Sequence, residues 1–169
     1  MLLADLWLPA ERRPALGLAA AFGVMMVLCY SVRLDAAVPQ FAFGQSYVFD
    51  ALALFFKRFF LLAAVLVLVM SVEFSEEFHA GSSEFYALVL FALAGMMFAA
   101  SANSFTLLFV ALELITVTFY VLVSFQRHRV QSLEAGVKYL ILGALSSAFL
   151  VYGIALVFGT AGTMDFAQL

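Results

Sequence analysis

Few side chains in this sequence could do chemistry, and Glu113 stands apart among them. It is the one charged residue in an otherwise apolar run, 105–125. It lies eight residues into that run, roughly 12 Å deep in a helix. That is close to the midplane of a hydrocarbon layer about 30 Å thick. An ionised carboxylate there is costly unless it is paired or hydrated, so Glu113 must face protein or water. A carboxyl group that gains and loses a proton at this depth is the basic part of a proton relay. A structural reading also fits: a protonated Glu113 bonding a neighbouring helix, with Thr116 and Thr118 as polar contacts on its own helix.

Lys138 is the second candidate. It follows Glu134 by four residues, roughly 6 Å inside a helix that Glu134 would open. Glu113 lies roughly 18 Å from the matching end of its own helix. The two levels thus differ by about 12 Å, beyond a direct salt bridge but within range of a water chain. Lys138 fits a snorkelling anchor equally well, and Glu134 with Lys138 has the spacing of a plain i, i+4 helix pair. Lys57 and Arg58, one to two turns inside another apolar run and level with Phe55, Phe56, Phe59 and Phe60, read as cations snorkelling to the interface. Gly143 and Ser147 form a small-xxx-small pair, a signal of close helix packing; Ser146 and Ser147 could also hold water.

Other chemistry is missing from the sequence. There is no phosphate-binding glycine loop, nucleophile motif or histidine pair at haem-ligand spacing. A single cysteine, Cys29, excludes an internal disulfide or a cysteine metal cluster and reads as a buried, inert thiol. His79, alone in an acidic loop, reads as solvated. With no basic stripe and a net charge of -3, nucleic acid is not an expected partner.

The elements that must position Glu113 are membrane helices. Of 169 residues, 66% are hydrophobic and 11% charged, and mean hydropathy is +1.11. Soluble domains are about 25% charged. Continuous apolar runs, without strand alternation, predict an all-α polytopic bundle in one transmembrane domain over residues 1–169. The expected spans are 14–32, 51–72, 85–103, 105–125 and 135–158. Pro14 suits the first turn of the first span, and Ser132 is a plausible cap for the last. The stretch 33–50 reads as a mixed loop. Met1–Pro9 is too short for an export signal. Arg12, Arg13, Arg127 and Arg129 fall on one side, which the positive-inside rule makes cytoplasmic.

The segments EFYALVL at 84–90, ANS at 102–104, LELI at 112–115, YVLV at 120–123, SLEA at 132–135, KY at 138–139 and LGALSSAFLVYGIAL at 142–156 together resemble one family. It is the subunit N family of bacterial proton-pumping NADH–quinone oxidoreductase, respiratory complex I. VFDALALF at 48–55 fits the start of that family's third helix. The resemblance implies helices two to six of an antiporter-like fold in the bacterial inner (plasma) membrane. It implies proton-path roles for Glu113 and Lys138. It also implies other membrane-arm subunits and the lipid bilayer as partners. No cofactor is expected on this chain: quinone, NADH, FMN and Fe–S clusters belong to the wider complex. LLADLWLP at 2–9 looks like the tail of a preceding helix, and the family's seventh helix, with a lysine to pair with Glu113, is expected beyond Leu169 on a longer or split chain. Readings outside proton pumping in the complex are a structural transmembrane module and half of a cation/proton antiporter.

Overall fold

The computed structural model describes residues 13–74 and 81–169. Met1–Pro9, Arg12 and His79 lie outside the described residues. Five helices are long and apolar enough to cross a membrane: α1 (Arg13–Val32), α2 (Ala51–Phe74), α3 (Ser82–Ala99), α4 (Phe105–Val123) and α5 (Val130–Ala161). A helix satisfies its own backbone, which makes it a stable form for such runs in lipid. The chain is an all-α integral membrane protein; among the described residues a short hairpin, β1 (Gln40–Ala42) and β2 (Tyr47–Phe49), lies in the connection between α1 and α2.

Local chemistry sets the helix ends. Asp50 Oδ1 accepts from Ala53 N at 2.7 Å, and Ser104 Oγ accepts from Leu107 N at 3.3 Å. These cap α2 and α4. Gly162, at φ 70°, stops α5 in the left-handed conformation that glycine tolerates best. Two helices depart from the sequence expectation by three residues or more. Helix α3 ends at Ala99 rather than near 103, because the residues after it bond outward: Val48 N reaches Ser101 O at 2.9 Å, and Asn103 N reaches Ser46 O at 2.8 Å. Helix α5 starts at Val130 and ends at Ala161, beyond 135–158 at both ends. Ser132 is no cap; its hydroxyl donates to Val123 O at 2.8 Å and ties α5 to the end of α4.

The core lies among α1, α2 and α3. Leu16, Ala20, Ala21 and Val24 meet Leu61, Ala64, Val65 and Leu68, with Tyr86 and Leu93 closing the third side. Each helix buries one stripe and leaves the rest outward, as expected where lipid is the solvent. This accounts for Cys29. It is exposed on α1, not buried as its sequence context suggested, because it falls off the Leu16–Ala20–Val24 stripe.

The pair Lys57 and Arg58 also departs from expectation. Neither follows the simple snorkelling pattern. Arg58 Nη2 donates to Ser31 O at 2.7 Å and Leu34 O at 3.1 Å, tying α2 to the last turn of α1 and the turn that follows it. Lys57 is only 6% exposed. Hairpin strand β2 folds over it: Nζ donates to Tyr47 Oη at 2.6 Å and lies 4.7 Å and 5.0 Å from the Tyr47 and Phe49 ring centroids. A phenol oxygen and two ring faces thus replace water around the ammonium. Burial opposes ionisation of the Tyr47 phenol, but the Lys57 hydrogen bond, the Ser101 hydroxyl and the Lys57 charge together hold it below its ordinary 10.0.

The sign of this shift is testable. The Tyr47 tyrosinate band should appear at lower pH than that of an ordinary tyrosine, and Lys57→Met should move its midpoint up. Ultraviolet pH titration, with Tyr47→Phe as the blank, measures both; an unmoved midpoint in Lys57→Met would contradict the assignment. Packing makes a second prediction. A methyl group on Gly95 would meet Ile115 Cγ1 at 2.7 Å and Ala111 O at 3.2 Å, so α3 and α4 touch there with no room for a side chain. Gly95→Val should cost about 1–3 kcal/mol, read as a lower midpoint of thermal unfolding in detergent.

Candidate functional site

Helix α5 packs principally on α4, and the two run antiparallel through the tight loop 124–129. Three small residues set their approach. A methyl on Gly136 would meet Ser124 Cβ at 2.5 Å, and one on Gly143 would overlap the Tyr120 ring. The third, Ser147, lies across from Glu113. Spacings of seven and four residues place 136, 143 and 147 on one face of α5. The small-xxx-small pair read from sequence is therefore the α4-facing stripe, and it carries a polar partner.

That partner binds Glu113. Ser147 Oγ donates to Glu113 Oε1 across the seam. Glu113 is half-buried, and at mid-helix its carboxyl is held by protein, as the cost of an unsatisfied polar group in hydrocarbon requires. The two threonines do something else. Thr116 Oγ1 donates to the main-chain carbonyls of Leu112 and Glu113 at 3.1 and 3.2 Å, and Thr118 Oγ1 to Leu114 O at 2.6 Å. These are back-bonds within the helix, and the carboxylate receives its hydrogen bond from the neighbouring helix.

The structure does not bring Lys138 to Glu113. Lys138 Nζ pairs with Glu134 Oε1 at 2.6 Å, and its side chain is 71% exposed. Lys138 precedes Ser147 by nine residues, which is roughly 13 Å along the axis and about 180° around it. The lysine thus points away from α4. The level difference expected from sequence holds, and a difference of face adds to it.

Sequence reasoning passed over Tyr120. Its hydroxyl is buried and without a hydrogen-bond partner among the described residues, its ring covers Gly143, and it meets Tyr139 edge-on with centroids 5.3 Å apart. The available signal was spacing: Tyr120 lies seven residues after Glu113, and therefore on the same face of α4.

Residues 102–169 match a family model described as NADH:quinone oxidoreductase/Mrp antiporter, TM. Over its whole length the chain is 41% identical to NADH-quinone oxidoreductase subunit N of Rhodospirillum rubrum, of which it covers 35%. It is 42% identical to subunit N of Desulfitobacterium hafniense over 92% of this chain and 32% of that one. Its fold matches a chain of respiratory complex I from Thermus thermophilus with bound aureothin: TM-score 0.79, 34% identity, 97% of this chain and 35% of that chain. A chain of the archaeal membrane-bound sulfane sulfur reductase shares the fold, with TM-score 0.68 at 20% identity over 94% of this chain and 39% of that one. The chain spans about a third of the length of the curated relatives it matches. With that identity along its full length and the same helical fold, the chain is similar to a part of NADH-quinone oxidoreductase subunit N.

Proposed function

We propose that the chain contributes part of a proton-translocation path to the membrane arm of a proton-pumping NADH–quinone oxidoreductase in the bacterial inner membrane. The carrying observation is Glu113: a carboxyl group at mid-helix, half-buried, hydrogen-bonded across a helix seam by Ser147. A carboxyl with one neutral donor can hold a proton or release it without dismantling an ion pair. The likeness to subunit N supports the host complex and, as partners, the other membrane-arm subunits of that complex. On this reading NADH, FMN, quinone and Fe–S chemistry reside elsewhere in the assembly. Lys138, exposed on the outward face of α5, would serve the path only through a neighbour on that side. One observation favours a structural role instead: the Ser147 bond also satisfies a Glu113 that stays protonated.

Two measurements decide. In membranes containing the assembled complex, Glu113→Gln should lower proton pumping and coupled quinone reduction by about 100-fold or more; pumping at the wild-type rate would remove the proton-path role. Infrared difference titration should find a carboxyl band that disappears in Glu113→Gln and changes between protonated and ionised forms during turnover. A band that never ionises between pH 5 and 9 would favour the structural role.

A further inference from the structure

We propose that the Tyr120 hydroxyl is a proton-transfer station between the α4–α5 loop and Glu113, joined to Ser147 by one water molecule; this rests on the proton-path reading of Glu113.

Geometry supplies the steps. The Tyr120 ring lies over Gly143, four residues from Ser147 on the same face of α5, or roughly 6 Å along the axis. Two O–H···O bonds laid end to end span about 5.6 Å, matching that rise, so one water would bridge hydroxyls at these two levels. Side chains lean toward the N-terminus of their helix, which aims Tyr120 back along α4 toward Glu113. The phenol hydroxyl is buried without a protein partner, the condition under which a bound water stabilises a site. Ser147 already donates its proton to Glu113 and so has an oxygen lone pair free to accept from that water.

The transfer balances. The Tyr120 O–H passes its proton to the water and takes one from a protonated water (hydronium) arriving from the α4–α5 loop. The water passes one to Ser147, and the Ser147 hydroxyl passes its own to the Glu113 carboxylate. Every hydroxyl ends with the number of protons it started with; the loop-side hydronium loses its positive charge and Glu113 its negative one. Glycine at 143 follows from the same arrangement, because any side chain there would displace the ring.

Tyr120→Phe keeps the ring on Gly143 and Tyr139 and removes only the hydroxyl. In membrane vesicles carrying the assembled complex, with pumping normalised to complex content, Tyr120→Phe and Ser147→Ala should each slow proton pumping about tenfold or more. The double variant should be no slower than the slower single variant, since both break one path. Losses that multiply would show independent structural roles and overturn the proposal. Wild-type pumping in Tyr120→Phe while Glu113→Gln is defective would overturn the Tyr120 station alone. Wild-type pumping in Glu113→Gln would overturn the underlying reading as well.

Discussion

A carboxyl group in hydrocarbon must find its hydrogen bond inside the protein. At Glu113 that bond comes from Ser147, and it depends on α4 and α5 approaching closely enough to leave no room for side chains between them. The approach in turn depends on what is missing: side chains at Gly136 and Gly143. With bulkier residues there the helices would separate and the serine would lose its reach. In lipid, apolar surfaces gain little by leaving the solvent, so packing and interhelical hydrogen bonds hold helices together. The Glu113–Ser147 contact combines both. The polar group that gives the seam its chemistry is also part of what closes it.

Elsewhere in the bundle a related problem is solved with a different set of groups. Lys57 is a cation buried in the second turn of α2, and the hairpin covers it with a phenol and an aromatic face. The same hairpin is bonded to the 101–104 connector. Thus the loop that follows α1 completes the surroundings of a charge on α2 and also fixes where α3 stops.

Much of the fold was legible because continuous apolar runs between charged boundaries have few alternatives in a bilayer. Glu113 was legible for the same reason in reverse, as a charge where none is affordable. Less visible was whatever depends on rotation about a helix axis. Whether Lys138 faces α4, whether Cys29 faces the core and whether Thr116 reaches the carboxylate all turn on about 100° per residue plus the choice of neighbouring helix. Composition does not record that choice. The hairpin was missed because its strands are three residues long, too short for alternation to register. Lys57 was misread in consequence, since its surroundings come from that hairpin.

The connector after α3 joins more than the hairpin. Phe105 N bonds Met164 O at 3.0 Å, Phe166 N bonds Asn103 O at 3.1 Å, and Ser104 pairs with Asp165 as an isolated bridge. At the other end Ser132 holds Val123 beside the tight loop. Helices α4 and α5 are therefore fastened at both ends, and Glu113 with Ser147 lies between the fastenings. Like a beam supported at two points, the seam holds its gap at mid-length through attachments made far from it.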